Sequence, residues 1–173
     1  RVDPKDAGSL RVQFNALDLA LYRRARSLAR TPETVRWVRR FSRPGEQGLL
    51  WYGLGAAGAL VDSERRGHWV KATAVVGGSY LISTSIKMAI GRKRPVVEDL
   101  PHLMATPTGL SFPSSHSTSS FAAARAYTGL LPTGPLYCGA TAMALSRLYL
   151  GVHYPSDVAA GVGLGTLLGS VGR

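Results

Sequence analysis

The sequence has one cysteine, few charged residues and no long uninterrupted hydrophobic run. Cys138 is the only cysteine among 173 residues, which excludes an intrachain disulfide and a cysteine-ligated zinc site. Charged residues make up 18% of the chain, below the roughly 25% of an average soluble domain. The hydrophobic share of 45% argues against disorder, because disordered chains contain few apolar residues. The length fits a single domain.

Acidic residues are also scarce, and the basic residues are concentrated near one end. Lys and Arg total 21 against 10 Asp and Glu, which gives a formal net charge of +11. Eleven of these basic residues precede Gly45. Such an excess indicates a polyanionic partner: nucleic acid, an anionic membrane face or a phosphorylated substrate. The N-terminal stretch has no apolar core of the secretory type, so we expect no cleavable signal peptide.

Residues 1–45 are predicted to form two basic amphipathic helices. Thr31-Pro32-Glu33 has the order of an N-cap, a proline in the first turn and an acidic first-turn residue, and Pro44-Gly45 ends the helix that follows. Helices of this kind lie on membrane surfaces, although two surface helices of a soluble domain are the alternative. The first helix carries apolar residues at helical spacing: Leu10, Phe14, Leu17 and Leu21.

From Gly48 onward the chain consists largely of apolar segments. None reaches the run of about 20 residues that is typical of a simple spanning helix, but all are rich in small residues that allow close packing of membrane helices. We predict one all-α domain over residues 1–173, a polytopic membrane bundle of about six helices, with residues 1–45 at the interface and residues 46–173 as the membrane core. A soluble all-α protein is the alternative, since the mean hydropathy is only +0.04. The segments are Gly48–Val61, Trp69–Ile86, Phe121–Leu131, Gly134–Leu145 and Val158–Val171.

Polar clusters follow or precede these segments at positions that an up-and-down bundle brings to one side. Three fixed cations suit the oxygens of a phosphoryl group in transfer. One histidine can attack phosphorus while a carboxylate one helical turn away fixes its tautomer, and the second can protonate the departing oxygen. A metal site is less favoured because adjacent cations repel the ion, and a basic helix end that binds lipid headgroups is a further alternative. The residues are Lys87, Arg94, His116, Arg147, His153 and Asp157.

Three motifs contain these residues: Lys87-x6-Arg94-Pro95, Pro113-Ser114-x-His116 and Ser146-Arg147-x5-His153-x3-Asp157. In order and spacing they resemble the signature of the type 2 phosphatidic acid phosphatase (PAP2) superfamily, which includes vanadium haloperoxidases and bacterial acid phosphatases. The surrounding apolar helices resemble the six-helix membrane branch of that family. The resemblance spans residues 87–157.

The resemblance implies a role for each of these positions. His153 would form a phosphohistidine, Asp157 would orient it, and His116 would be the general acid for the leaving group. The phosphate oxygens would be held without a metal or other cofactor by Lys87, Arg94 and Arg147, helped by Ser114 and the backbone N–H of Ser115.

One position departs from the family pattern. The family usually has Gly where this chain has Ser115. If the backbone there requires a positive φ, a serine is mildly strained. If it does not, the serine adds a hydroxyl group to the phosphate site.

The sequence indicates the identity of the substrate less clearly than it indicates the chemistry of phosphate removal. The Pro-Ser-Ser-His variant, the small size and the basic N-terminus resemble the actinobacterial phosphatases that act on decaprenylphosphoryl-5-phosphoribose, a precursor of cell-wall arabinan. Undecaprenyl diphosphate, phosphatidylglycerol phosphate and phosphatidic acid are rival substrates. A non-catalytic membrane protein that binds anionic lipid or nucleic acid would need the cations but not both histidines and the aspartate. Vanadate-dependent halide oxidation is disfavoured by the lack of a large accessory domain.

We therefore expect a lipid-linked phosphate and membrane lipids as partners, and no nucleic acid. Nothing in the sequence indicates the oligomeric state. Most basic loop residues lie on the side of the predicted site if that side also holds the N-terminal segment. By the positive-inside rule, the active site of this multi-pass protein is then predicted to lie on the cytoplasmic side of the plasma membrane.

Overall fold

The computed structural model describes residues 4–27 and 31–171, and within these ranges the chain is helical with no β-strand element. The predicted all-α fold class is confirmed. A 3-10 segment, Arg43–Gly48, joins the second and third helices. The α-helices are α1 (Pro4–Arg26), α2 (Pro32–Ser42), α3 (Leu49–Val61), α4 (Arg66–Ile90), α5 (Ser115–Ala126), α6 (Thr133–Tyr149) and α7 (Pro155–Val171).

Helix α2 begins where its sequence predicts. The Thr31 hydroxyl accepts a hydrogen bond from the Thr34 backbone N–H at 3.1 Å, and Pro32 occupies the first turn. This arrangement satisfies a backbone donor that a helix start otherwise leaves without a partner.

Helix α1 presents its apolar face outward. Leu17 and Leu21 are 58% and 45% exposed, whereas Asp18, Tyr22 and Arg26 are buried. The side chains of Leu10 and Phe14 lie outside the described part of the structure. In the second half of the helix, the apolar residues that we predicted to share one face therefore point away from the bundle. Polar side chains on the opposite face of the same helix point into the bundle.

Helix α5 lies at the centre of the bundle and contacts α4, α6 and α7. Its Ser-rich first half is buried, so the composition that resembles a flexible linker forms a packed helix. The Trp51 indole donates to Ser120 Oγ at 2.9 Å, and the Tyr127 hydroxyl donates to the Trp51 carbonyl at 2.8 Å. These bonds satisfy the polar atoms of large aromatic side chains that fill the core.

A row of glycines lets α7 pack directly on the backbone of α5. Gly161, Gly165 and Gly169 are spaced by four residues and share one face of α7. A methyl group at Gly161 would lie 2.6 Å from the Ser114 carbonyl oxygen, and one at Gly165 would overlap the Thr118 carbonyl oxygen. Small residues at this spacing are typical of closely packed membrane helices.

Residues 91–114 fold over the ends of α4 and α6. Arg94 N–H donates to the Gly109 carbonyl at 3.1 Å, and Ser111 N–H donates to the Arg92 carbonyl at 2.8 Å. Farther along, Leu103 N–H donates to the Leu150 carbonyl at 2.9 Å. These bonds fix the loop, and with it Arg94, against the helix ends.

Several large apolar side chains lie on the outer surface of the bundle. Leu60, Leu81, Met88 and Leu167 are each about two thirds exposed or more. Among the helices in the described ranges, none combines the length and the apolar content needed to cross a bilayer. Exposed apolar surfaces of this kind are typical of contacts with other proteins or with lipid.

Candidate active site

A cavity of about 90 Å³ lies where the ends of α4 and α6 meet the start of α5 and the residues that precede α7. We call it the inner cavity. The structure brings six of the predicted site residues to its wall, and Asp157 lies behind one of them, whereas Ser114 does not line it. The six are Lys87, Arg94, Ser115, His116, Arg147 and His153.

Two of the cations are held by neutral carbonyl groups. Lys87 Nζ donates to the Pro113 carbonyl at 2.6 Å, and Arg94 Nη1 donates to the Val152 carbonyl at 2.5 Å. Neither side chain forms an ion pair with a carboxylate among the described residues. Burial therefore lowers the pKa of Arg94 to about 10, and uncompensated positive charge remains in the inner cavity.

The third cation, Arg147, is bound to the end of α2. Its Nη1 donates to Ser42 Oγ at 2.6 Å, and Ser42 is completely buried. The His116 Nε2 atom lies 3.3 Å from the Ser42 carbonyl oxygen. The last residue of α2 thus orients both of these side chains, a role that the motifs alone do not indicate.

His153 is buried between a cation and a carboxylate. Its Nε2 lies 3.2 Å from Arg94 Nη1, and a guanidinium N–H can only donate, so Nε2 is the acceptor and the proton is assigned to Nδ1. Burial, followed by the charges of Arg94, Arg147 and Lys87, holds the pKa of His153 well below its usual value. The imidazole is therefore neutral and keeps a lone pair on Nε2.

Asp157 lies close to His153 without a hydrogen bond to it. Its Oδ2 is 3.6 Å from His153 Nδ1, which exceeds hydrogen-bond distance, and Nδ1 is a buried donor without a partner among the described residues. Oδ2 accepts from the Tyr154 N–H at 2.8 Å, and Oδ1 accepts from Arg92 Nη1 at 2.8 Å. The carboxylate is fixed by these two donors, with its second oxygen beside the imidazole.

Arg92 and Asp18 form a network that sequence reasoning missed. Arg92 Nη2 donates to Asp18 Oδ2 at 2.7 Å, so Arg92 bridges Asp18 and Asp157. Asp18 Oδ1 accepts from the Ser156 N–H at 3.0 Å, which caps the first turn of α7. The sequence contains one signal of a structural role for Asp18, because it is the only acidic residue between Asp6 and Glu33.

The two serines before His116 have different environments. Ser114 is the N-cap of α5, and its Oγ accepts from Ser117 Oγ at 3.0 Å. Ser115 lines the inner cavity, where its Oγ accepts from Ser83 Oγ at 3.1 Å. In the described ranges, Gln47 alone among non-glycine residues has a positive φ. Ser115 is therefore unstrained, and it adds a hydroxyl to the inner cavity.

The inner cavity is suited to binding a small anion, and a histidine in its wall can attack that anion. Three cations and the positive N-terminal end of α5 surround it. Among the described residues that line the cavity, Glu46 is the single carboxylate. A phosphoryl group bound there would meet donors for its oxygens on several sides and a neutral histidine nitrogen as a nucleophile. Sequence reasoning also missed other wall residues: Glu46, Gln47, Tyr80 and Thr84.

Comparison with known proteins agrees with this geometry. Residues 68–172 match the family model of the PAP2 superfamily. A decaprenylphosphoryl-5-phosphoribose phosphatase of Mycobacterium tuberculosis is 41% identical over 150 residues, which cover 84% of this chain and 82% of that protein.

Two solved structures have a similar fold. The transmembrane PAP2-type phosphatidylglycerolphosphate phosphatase of Bacillus subtilis has a TM-score of 0.76 and 25% identity, and the match covers 92% of this chain and 84% of that one. LpxE of Aquifex aeolicus has a TM-score of 0.77 and 24% identity, with 90% and 94% of the two chains covered. The latter likeness concerns the fold alone.

Proposed function

Because the chain belongs to the PAP2 superfamily of phosphatases, we propose that it hydrolyses the phosphomonoester of a polyprenyl-linked sugar phosphate, decaprenylphosphoryl-5-phosphoribose. The observation that carries this proposal is the inner cavity, in which three cations that form no ion pair with a described carboxylate surround two histidines. The 41% identity to phosphatases of that name supports the choice of substrate. The reaction would supply cell-wall arabinan synthesis with its dephosphorylated precursor.

In the proposed mechanism, Lys87, Arg94 and Arg147 bind the phosphate oxygens and stabilise the charge of the transition state. His153 Nε2 attacks phosphorus, and the bond between phosphorus and the ribose oxygen breaks. Asp157 stabilises the positive charge that develops on the imidazole. Arg94 must turn from Nε2 toward a phosphate oxygen for this attack.

His116 completes the proposed cycle as the acid and base. It gives a proton to the departing ribose oxygen and then removes a proton from the water that attacks the phosphohistidine. Inorganic phosphate leaves, and His153 returns to its neutral form. No metal ion takes part in these steps.

We further propose that the protein is embedded in the plasma membrane, with residues 1–45 at the bilayer interface. The exposed side chains of Leu17, Leu21, Trp37 and Phe41 beside basic residues support this placement. Asp18 contacts Ser156 next to the site, so the basic N-terminal segment and the site share one side. The positive-inside rule then favours the cytoplasmic side. Retention in the membrane after a carbonate wash, and a cytoplasmic N-terminal tag, are the expected results.

The test of the proposed function is phosphate release by the detergent-purified protein with excess chelator. Wild type and His153→Ala are compared on prenylphosphoryl phosphoribose, undecaprenyl diphosphate, phosphatidylglycerol phosphate and phosphatidic acid. We expect chelator-resistant release from the first substrate, abolished by the substitution, and a phosphohistidine trapped by acid-free quenching. Preference for another lipid would replace the proposed substrate. Release lost with chelator would contradict the mechanism, and release from none would favour a lipid-binding protein.

A further inference from the structure

A larger cavity of about 840 Å³ adjoins the inner cavity, and we call it the vestibule. The end of α2, the 3-10 segment and residues 102–107 form its walls. Glu46 and Pro107 line both cavities, so the two share a boundary. A molecule whose phosphate lies in the inner cavity therefore extends its remaining part into the vestibule.

We propose that the vestibule is the specificity site for the second phosphate of the substrate, with Arg39 and Arg43 binding the phosphodiester that links the ribose to the prenyl chain. This inference rests on the proposed function. The substrate carries two anionic groups on one sugar, and the inner cavity accommodates one of them. The other requires its own cations outside that cavity, within the reach of a ribose ring.

Both arginines have side-chain N–H donors that no hydrogen bond among the described residues uses. Arg39 Nη2 donates to the Leu103 carbonyl, whereas its Nη1 is not buried and has no hydrogen-bond partner among the described residues. Arg43 is exposed at the vestibule and forms no ion pair with a described carboxylate. A guanidinium binds phosphate oxygens through paired N–H donors.

Glu46 lies at the boundary between the two cavities. A carboxylate there repels an anion but accepts hydrogen bonds from hydroxyl groups. The ribose of the proposed substrate would occupy this boundary, with an anionic group on either side and its hydroxyls near Glu46. The charge pattern from the inner cavity outward, positive, negative and positive, thus matches a phosphate, a sugar and a phosphodiester.

The charged residues of the vestibule wall come from a part of the chain outside the family match, although residues 102–107 lie within it. Arg39, Arg43 and Glu46 precede residue 68, where that match begins. Lys87, Arg94, His116, Arg147 and His153 all lie within it. Selection among phosphorylated lipids is therefore assigned to the N-terminal segment, while the shared domain binds the phosphate that is removed.

The experiment compares two substrates in neutral detergent that differ in one group. Farnesylphosphoryl-5-phosphoribose carries the phosphodiester, and in farnesyl ribofuranoside 5-phosphate a single glycosidic oxygen replaces it. We expect Arg43→Gln and Arg39→Gln each to raise KM for the first substrate about tenfold, the value of one charge-assisted hydrogen bond. KM for the glycoside substrate rises far less. Arg40→Gln is the matched control, since Arg40 lies over the Trp37 ring on the same helix and does not line the vestibule.

Each other result contradicts the inference in a distinct way. Equal increases in KM for both substrates would mean that the arginines do not recognise the phosphodiester. An increase that appears only when phosphatidylglycerol is added to the micelles would assign them to lipid headgroups. Unchanged KM in both variants would leave the vestibule without a role in specificity. If the wild-type protein hydrolyses neither substrate, the proposed function itself fails, and the inference fails with it.

Discussion

Substitution of Asp18 tests whether α1 is part of the catalytic unit. Asp18 is 4% exposed, and it accepts hydrogen bonds from Arg92 Nη2 at 2.7 Å, from the Ser156 N–H at 3.0 Å and from Ser156 Oγ at 2.5 Å. Asp18→Ala removes both carboxylate oxygens and with them all three hydrogen bonds. Arg92 then keeps Asp157 and Ser156 as partners of Nη1 and the Tyr154 ring beside its guanidinium, but Nη2 loses its carboxylate partner.

The expected loss of stability follows from this burial. Breaking a fully buried ion pair costs about 3–5 kcal/mol. Because Arg92 is 23% exposed, water partly replaces the lost carboxylate, and we expect a decrease of about 2–3 kcal/mol in the free energy of unfolding. Movement of Asp157 by a fraction of an ångström should also lower kcat about tenfold. KM should change little, since Asp18 does not line the inner cavity.

The assay combines thermal unfolding in detergent with steady-state phosphate release. Asp99→Ala is the matched control, because Asp99 also pairs with α1, through Arg23 at 3.0 Å, but is 63% exposed. Exposed pairs contribute at most about 1 kcal/mol, so the control should keep its stability and its kcat. If Asp18→Ala behaved like Asp99→Ala in both measurements, the argument that α1 fixes the carboxylate would be refuted.

Three further predictions concern packing, pH and proton transfer. Gly165→Val should lower the free energy of unfolding by about 1–3 kcal/mol or more, whereas Gly163→Val, with open space around it, should not. Because the pKa of His153 is depressed in the folded state, stability should fall as the pH drops below about 6.5, by about 1.4 kcal/mol per unit. His153→Gln should reduce the pH dependence of thermal unfolding, and the exposed His68→Gln should not. His116→Ala should lower kcat/KM, which reports phosphoryl transfer to His153, at least about a hundredfold for an alkyl phosphate but far less for p-nitrophenyl phosphate, whose leaving group needs no proton.

Local signals in the sequence predicted helix starts better than helix ends. The start of α2 was predicted from Thr31 and Pro32 alone, because an N-cap depends on neighbours within one turn. The apolar segment Phe121–Leu131 continues past Ala126, where α5 ends. Gly129, with a φ of 94°, lies in the turn that follows. Hydrophobicity alone does not distinguish that turn from helix.

Periodicity also did not reveal which way α1 faces. The spacing of Leu17 and Leu21 is equally consistent with a face packed on a protein core and with one turned toward lipid. The burial of Asp18 and Tyr22 decides between these, and it depends on partners more than 120 residues away, Ser156 and Gly151. Contacts at such separations are not encoded in any local pattern.

Some residues of the candidate site are predicted by the motifs, and others are brought to the site only by the fold. Fixed spacing along α6 and the following turn predicted that Arg147 and His153 act together, and the geometry of an up-and-down bundle added Lys87 and His116. Ser42 and Glu46 were not predicted, because each enters the site from a segment outside the motifs.

The residues predicted by the motifs and those revealed by the fold have different roles in the proposed selection of the substrate. In the proposed mechanism, the residues that the motifs predicted act on a phosphate, a group that many lipids share. Asp18, Arg43 and Glu46, which only the fold revealed, come from α1 and the 3-10 segment, and they contact Arg92 behind Asp157 or line the vestibule. Changes in residues 1–48 should therefore alter substrate preference and catalytic alignment while the chemistry at His153 stays the same. The basic N-terminal segment, which we predicted to lie on a membrane surface, is in this view also the part of the enzyme that identifies the lipid.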